Sequence, residues 1–401
     1  MKYKIFNKNY LIAACVGLFI LFVVWLLISA SNLDDNSANT DKKIEIEDTN
    51  LRGYKNGELL WSMQSKYVWS SLSIEHAVIE NIYNGCFYDQ GKILLDALTA
   101  RKVQVNAPQE RFYADKGFQA LMYRHYDQDQ PVEVWGEQLN YNAADKRSQL
   151  YKHIYVQDRN TKITAERATI EHQDNRIIFG KDTVLSRPDS TLTAEAIEIN
   201  LNKDIFQAKK NVQIIRQPEE TDDEFKSQKT TIHTDLLEAD VAQDTASLTM
   251  SGNILIEQPD KKASGEQAAF TEKDNLFHLS GNALVIFDKS ELLLDQTTRQ
   301  KFKDKGILQE KLQLQSNSIV INTNNKDLEA AGQVLVTVKN KKATADKANY
   351  SRTTEKIYLR NNVYLTQEDG STVQAEYVVV DIPTEKFTAE GRAESTLYLN
   401  R

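Results

Sequence analysis

Cysteine, proline and glycine are all scarce in this sequence of 401 residues. Its two cysteines, Cys15 and Cys86, lie far apart, and Cys15 stands inside an N-terminal apolar run, so no disulfide framework supports the fold. With only 6 prolines and 15 glycines, the chain has few obligatory turns. Threonine, valine, isoleucine and tyrosine are common instead, which is typical of long strands joined by short turns.

Signatures of catalysis and of cofactor binding are also lacking. The 6 histidines are scattered, without a pair at the spacing of metal ligands. Neither the Gly-x-Ser-x-Gly turn of serine nucleophiles nor the Gly-x-x-x-x-Gly-Lys loop of nucleotide-binding proteins occurs. A net charge of −8 argues against a nucleic-acid partner, since phosphate binding needs basic patches. We therefore expect a protein that is not an enzyme, holds no cofactor or metal, and does not bind nucleic acid.

The only long apolar run lies near the N-terminus, from Leu11 to Ile28. As a helix it would span roughly 27 Å, close to the thickness of a bilayer core. Lysines precede the run and aspartates follow it, so the positive-inside rule places the short N-terminus in the cytoplasm. The sequence predicts a cytoplasmic stub and transmembrane anchor over residues 1–30, followed by a polar tether over residues 31–50.

Two other interpretations of this apolar run stay open. A signal peptide could be cleaved near Ala30, where small residues loosely resemble a cleavage site, although the run is long for a signal. A lipoprotein signal could end at Cys15, although apolar residues continue well past that cysteine.

Segments of alternating apolar residues dominate the rest of the chain and indicate two kinds of strand. Ala343 and Ala345 alternate, the phase then slips by one residue, and the alternation resumes at Ala348 and Tyr350. After a polar turn, residues 356–365 alternate without a slip. Strict alternation is typical of half-buried strands, and a slip needs a bulge or bend if the same face is to stay buried.

The slip recurs as an internal repeat with a period of about 30 residues, giving roughly ten units and twenty strands. The last small or apolar residues before each slip are Gly136, Ala165, Ala194, Thr234, Gly265, Ser316, Ala345 and Ala375. The predicted core positions of the unslipped strands are Ile154, Val184, Val212, Ile254, Ala283, Val334, Val363 and Ala393. Glycine or asparagine often stands two residues before them, which permits a bend within the strand.

Two weaker units can be recognised upstream, pairing Ala100 with Phe118 and Ser65 with Tyr83. Two spacers interrupt the repeat, an acidic one at 217–229 and a longer, charged one at 288–311. The conformation of the second spacer cannot be predicted from its pattern.

The repeat predicts an all-β fold, an elongated antiparallel β-jellyroll of two sheets and about 20 strands, with the apolar faces packed together. The inward side chains could simply fill a core, or they could line a slot that accepts lipid chains. Because each buried CH₂ gains about 0.8 kcal/mol, a chain of about twelve carbons would gain on the order of 10 kcal/mol. The inward candidates for lipid binding are Trp61, Phe112, Phe118, Met122, Tyr141, Phe206, Met250, Phe270 and Phe277; Phe387 shares their phase.

The last predicted strand, residues 395–399, ends the chain almost at once. An edge strand has unpaired backbone groups that can recruit a strand from another protein. Leu397, Tyr398 and Leu399 are therefore the candidate edge for a partner.

Short motifs within the repeat resemble a known family. One set comprises Thr164-Ala165-Glu166-Arg167-Ala168, Thr193-Ala194-Glu195-Ala196 and Thr344-Ala345-Asp346-Lys347-Ala348. The other set comprises Ser251-Gly252-Asn253-Ile254, Ser280-Gly281-Asn282-Ala283 and Ala331-Gly332-Gln333-Val334. Together with one N-terminal anchor, they resemble the lipopolysaccharide-transport bridge proteins, the LptC, LptA and OstA group. The anchor and the segment from Gly57 to Trp61 look most like the LptC branch.

The resemblance implies a β-jellyroll that carries the acyl chains of lipopolysaccharide, or of a related glycolipid, between its sheets. It implies a single-pass inner-membrane protein whose bulk lies in the periplasm and docks to the permeases of an ABC transporter. It also implies an LptA-like periplasmic bridge protein paired with the edge strand. LptC-like proteins are usually about half this length, so we expect an LptC-like portion at 51–216 and an LptA/OstA-like portion at 230–401. The second portion is either a fused second jellyroll or a continuation of the first.

One other class of function fits the same pattern. A structural or adhesive envelope protein would share the anchor and the repeats, but its interior would be dry and filled. Capture of lipid by inward-facing positions distinguishes the two.

Overall fold

The structure is a computed structural model that describes residues 44–397, except for 56, 71–75, 90, 107–110, 125–126, 143, 201–204, 222–225, 241–246, 272 and 303–305. The predicted anchor, Cys15, residues 31–43 of the tether, Tyr398 and Leu399 lie outside the described residues. Within the described part, no helix has both the length and the apolar character needed to cross a bilayer.

The predicted all-β antiparallel fold is confirmed. The strands of the first half are β1 (Ile44–Lys55), β2 (Glu58–Ser70), β3 (His76–Asp89), β4 (Lys92–Asn106), β5 (Arg111–Arg124), β6 (Asp127–Gly136), β7 (Gln138–Asn142), β8 (Arg147–Asp158), β9 (Thr161–Glu171), β10 (Arg176–Ser186) and β11 (Ser190–Asn200). Those of the second half are β12 (Ile205–Arg216), β13 (Thr230–Asp240), β14 (Ser247–Gln258), β15 (Lys261–Thr271), β16 (Leu276–Phe287), β17 (Leu312–Asn322), β18 (Leu328–Val338), β19 (Lys341–Ser351), β20 (Lys356–Thr366), β21 (Thr372–Asp381), β22 (Lys386–Glu390) and β23 (Glu394–Thr396).

The sequence did not predict the conformation of the spacer at 288–311, whose described residues form short helical turns. The spacer contains the 3₁₀ turns η1 (Ser290–Leu293) and η2 (Gly306–Gln309), with the short helix α1 (Gln296–Phe302) between them.

The chain divides into two compact units. Unit 1 takes the chain up to Pro188 together with Ala196–Asn202, and unit 2 takes Asp189–Glu195 and the chain from Lys203 onwards. β1 to β10 therefore belong to unit 1, and β12 to β23 belong to unit 2. The division predicted from the family resemblance, between 216 and 230, stays a prediction.

Each long strand bends near its middle, and the two kinds of strand bend differently. The slipped strands keep one face buried on both sides of the slip; in β19, Ala345 and Ala348 are both buried. The unslipped strands bend at two consecutive residues with positive φ, a conformation that favours glycine and asparagine. These pairs are Lys152–His153, Lys181–Asp182, Lys210–Asn211, Gly252–Asn253, Gly281–Asn282, Gly332–Gln333, Asn361–Asn362 and Gly391–Arg392.

A hydrogen bond locks many of these bends to the neighbouring strand. The Asn253 amide donates to the Asp235 carboxylate at 2.8 Å, and a methyl group added at Gly252 would clash with the same carboxylate. The amide–carboxylate pair recurs as Asn211–Glu195 (2.7 Å), Asn282–Glu266 (3.1 Å) and Asn362–Asp346 (2.8 Å). The acidic residue of one repeated motif thus binds the asparagine of the other, which explains why both recur.

The bends fold each unit into two facing layers. In unit 1, Phe87 pairs with Leu95 near the start of β4, and Phe112 pairs with Val105 near its end. An extended strand would separate those two positions by about 33 Å. The rings of Phe87 and Phe112 are nevertheless 5.9 Å apart, edge to face. The two halves of a strand therefore belong to opposite layers whose apolar faces meet.

The structure corrects the C-terminal end of the predicted tether. Residues 44–50 are not a polar tether but the first half of β1, in which Ile46 pairs with Val68 of β2. Isoleucine alternates with glutamate there, so the acidic side chains face outward while the backbone hydrogen-bonds to β2.

Two predicted core positions are also wrong by one residue. In β10, Thr183 and Leu185 are buried, and Val184 between them is only half-buried. The left-handed pair Lys181–Asp182 sets this phase. In β3, Ser65 pairs with Ile82 rather than Tyr83, and Tyr83 is exposed.

The C-terminal end departs from prediction because nothing among the described residues packs over it. Phe387 of β22 and Ala393 are exposed rather than inward. β23 ends at Thr396, so Leu397, which is 69% exposed, follows the strand instead of forming part of it.

Candidate functional site

The inner faces of unit 2 carry two long rows of apolar side chains, one on each layer. Successive members of a row are register partners on adjacent strands. We call the first the phenylalanine row: Phe206, Ala239, Leu248, Phe270, Phe277, Ile321, Leu328, Tyr350, Ile357 and Val380. We call the other the isoleucine row: Ile214, Ile232, Ile256, Ala263, Val285, Leu314, Val336, Ala343, Leu365 and Val373.

A second pair of rows lies closer to the bends and is largely buried. On the isoleucine side a larger residue pairs with a smaller one, as in Ile254 with Gly265 and Val334 with Ala345. A methyl group added at Gly265 would lie 2.7 Å from the Leu279 side chain of the opposite layer. The layers are therefore in contact at the bends, and any space between them must open toward the two outer rows.

Two buried polar side chains at the bends of unit 2 are satisfied by the backbone. The buried Thr234 hydroxyl lies 3.0 Å from the carbonyl oxygen of Ser251, and the Ser316 hydroxyl donates to the carbonyl of Ser318 at 2.8 Å. These hydroxyls add little polarity to the groove, because their hydrogen-bonding capacity is used locally.

The two outer rows are accessible over β12 to β16, except at Val285 of β16, which is buried. Phe206, Leu248, Phe270 and Phe277 are half-buried, and so are Ile214, Ile232 and Ile256 on the facing layer. Over β17 to β19 the exposure falls in part. Leu314, Leu328 and Tyr350 are buried, whereas Ile321, Val336 and Ala343 stay half-buried. Unit 2 thus presents an apolar groove that is open at one part and covered at another.

In unit 1, aromatic rings lie across the corresponding opening between the two layers. Trp61 contacts Phe112 at 6.0 Å, and Phe87 contacts both Phe112 and Tyr141 at 5.9 Å, mostly edge to face. Tyr141 in turn stacks edge to face on His172, also at 5.9 Å. Rings from both layers meet here across the opening between them, and all four aromatic residues are half-buried.

The sequence-predicted lipid-binding residues therefore fall into different environments. Phe206, Phe270 and Phe277 lie in the open part of the phenylalanine row, with Met250 buried one position closer to the bend. Trp61, Phe112 and Tyr141 belong to the aromatic cluster of unit 1. Met122 pairs with Leu95 and Val132 on one layer of unit 1, and Phe118 pairs with Ala100 as predicted, its ring over Gly136. Their contact with lipid stays a prediction.

Sequence reasoning missed the isoleucine row as a site, although its members are the alternating residues of the same strands. The isoleucine row could have been found from the alternation of apolar residues, which continues from the phenylalanine row across each bend. The sequence also missed the polar pair at the mouth of unit 1, where Ser148 and His172 lie 2.8 Å apart.

Outside the groove, the described residues offer little for other ligands. A shallow depression of about 320 Å³ lies on the outer face of unit 2, where Thr249, Gln267 and His278 line it. In the described part, no group of three or more histidine, cysteine, aspartate or glutamate side chains is placed to hold a metal ion.

Comparison with known proteins identifies the family. The family described as LptA/(LptD N-terminal domain) LPS transport protein matches residues 162–294 and, a second time, residues 293–386. Together the matches cover more than half of the chain. The chain belongs to this family. The resemblance found in the repeated motifs is thereby confirmed at the level of the lipopolysaccharide-transport proteins, whereas assignment to the LptC branch stays a prediction.

Other comparisons add less. One similar solved structure is that of LptH from Pseudomonas aeruginosa, described as the LptA homologous periplasmic component of the conserved lipopolysaccharide transport device. The similarity covers 27% of this chain and 74% of that chain, with 13% identity and a TM-score of 0.24. None of the curated proteins matches the chain.

Proposed function

We propose that this chain is a membrane-anchored periplasmic component of lipopolysaccharide export. In this proposal it receives lipid from an inner-membrane ABC transporter, holds the acyl chains between the two layers, and passes them toward the outer membrane. Membership of the lipopolysaccharide-transport family supports the cargo. The predicted N-terminal anchor supports the membrane attachment, and no catalytic residue is assigned.

The observation that carries the proposal is the open groove over β12 to β16. Its two outer rows are apolar on both sides yet mostly half-buried, so a lipid chain placed between them would remove further apolar surface from water. Five strands spaced about 4.8 Å apart make this part roughly 19 Å long. Each CH₂ removed from water gains about 0.8 kcal/mol, and a membrane offers the acyl chain the same gain. The groove can therefore compete with a membrane for the acyl chain only if it encloses most of that chain.

The proposed partner at the C-terminal end is an LptA-like bridge protein that adds a strand to the exposed edge. β22 and β23 support this, because all their residues except Ala389 are exposed. Exposed strands with free backbone groups are the surfaces that β-augmentation uses.

Site-specific photocrosslinking tests the cargo. A photoreactive amino acid at Phe277, in the open groove, should label lipopolysaccharide when the full chain is expressed in a Gram-negative host. His278 is the matched control, because it is the next residue of β16 and is exposed on the outer face. Label at His278 without label at Phe277 would contradict the proposal and favour a structural or adhesive protein with a filled interior.

A further inference from the structure

The helical segment 288–311 lies where the groove of unit 2 changes from open to covered. It leaves the tip of one layer, because β16 and β17, which it joins, pair there through Phe287 and Leu312. Its buried leucines are Leu293, Leu294 and Leu308. We call residues 288–302 and 306–311 the strap.

The strap is bound to the tip of the opposite layer. The Tyr350 hydroxyl, from the phenylalanine row, donates to the carbonyl of Leu293. Arg352 donates to the carbonyl of Leu292 at 3.0 Å, and the backbone N–H of Asp295 donates to the Glu355 carboxylate at 2.9 Å. The strap therefore crosses the mouth of the groove from the isoleucine layer to the phenylalanine layer.

The strap is also built to keep its shape. Asp295 caps α1 by accepting from the backbone N–H of Thr298 at 2.8 Å. The Arg299 guanidinium donates to the carbonyls of Glu291, Leu292 and Leu294 at 2.8 to 3.0 Å. With these three carbonyls satisfied within the strap, the segment can leave the groove as a folded piece rather than as an extended loop.

The strap buries apolar side chains where the proposed cargo would bury its own. Leucine side chains and acyl chains gain the same free energy for each CH₂ removed from water, about 0.8 kcal/mol. An incoming acyl chain can therefore replace the strap at little net cost in apolar burial. The polar contacts to Tyr350, Arg352 and Glu355 then decide which of the two occupies the groove.

We infer that the strap is a displaceable plug that ends the lipid-accessible groove at β16 and must lift before acyl chains pass over β17 to β19. This inference rests on the proposed function. In this inference the strap and the lipid compete for the same part of the groove. The bound lipid then occupies the open part over β12 to β16.

The test compares crosslinking at Phe277 with crosslinking at Val336, a half-buried member of the isoleucine row on β18. In the unaltered chain, Val336 should label lipopolysaccharide much less than Phe277 does. In a strapless variant, Asp288 and Lys311 are joined through Asn-Gly, which suits a two-residue hairpin turn between paired strands. Labelling at Val336 should then rise about tenfold, the change expected when contacts of about 1.4 kcal/mol are lost.

A second variant guards against misfolding of the strapless chain. Tyr350→Phe combined with Glu355→Ala keeps the strap but removes two of its bonds to the opposite layer, so labelling at Val336 should rise to an intermediate level. Equal labelling at Val336 and Phe277 in the unaltered chain would overturn the plug, and so would no rise in either variant. Absence of label at both positions in every variant would instead overturn the proposed function, and the plug with it.

Discussion

At the scale of single residues, the repeat is held in register by the left-handed pairs and their acidic partners. Glycine is needed at the first position of several pairs for two separate reasons, the positive φ and the close approach of the neighbouring side chain. At Gly252 both apply, with φ at 79° and the Asp235 carboxylate within contact distance. Gly57 lies outside these pairs, in the turn between β1 and β2, and only the first reason applies there, because φ is 86° but a methyl group would meet nothing within 4 Å.

Alanine substitution at these two glycines separates the two costs. Gly57→Ala should lower the free energy of unfolding by about 1–2 kcal/mol, the cost of a left-handed residue with a side chain. Gly252→Ala should cost about 1 kcal/mol more, because the displaced Asp235 carboxylate loses its bond from Asn253. Urea denaturation followed by circular dichroism measures both. Equal losses would show that the acidic partner plays no part at the bend.

At the scale of elements, most of the fold was predictable, since alternation alone identifies a strand and its buried face. The slip at Ala345 and the even phase around Val363 correctly indicated two kinds of strand, but the unslipped strand is bent rather than straight, at Asn361–Asn362. The phase of β10 was not predictable, because Val184 is more apolar than Thr183, and only the left-handed pair places Thr183 inside. Side-chain polarity misleads where backbone geometry decides which face is buried.

The strap could not be predicted for a different reason. Its helical turns are short, and three buried leucines in a charged segment give no periodic signal. Its conformation depends on tertiary contacts with Tyr350 and Glu355, which lie on distant strands. The candidate groove was likewise predictable only in part. Its aromatic residues can be recognised in the sequence, but the ring contacts at the opening of unit 1 depend on the tertiary structure.

The Tyr350 hydroxyl gives the strap a dependence on alkaline pH. Burial raises the pKa of Tyr350 from 10 to about 12, because the ionised phenolate is poorly solvated there. A raised folded-state pKa stabilises the folded chain fully below pH 10, and this contribution is lost as the pH rises through about 12. Strap closure should follow the same course.

Tyr350→Phe is the matched variant for this prediction. It should cost about 1–3 kcal/mol at neutral pH, because the carbonyl of Leu293 loses its donor. The difference in unfolding free energy between the unaltered chain and the variant should stay constant up to pH 10 and shrink above it. A difference that is the same at pH 9 and pH 12 would contradict the role of the hydroxyl.

At the scale of the whole molecule, the family matches twice in succession, and the matches meet at residues 293–294, inside the strap. The end of the open groove therefore coincides with the junction between two family repeats. In unit 1 aromatic rings lie across the opening between the layers, while unit 2 leaves part of its mouth open and covers the next part with the strap. The stretch from β12 to β16 thus combines an apolar interior with outer rows that are mostly half-buried.

A structure of the full chain with lipopolysaccharide bound tests this account most directly. Acyl-chain density should lie between the phenylalanine and isoleucine rows over β12 to β16, in contact with Phe270, Phe277 and Ile256, with the strap still across β17 to β19 when a single lipid is bound. Acyl-chain density confined to the outer face, or none between the two layers of unit 2, would contradict it.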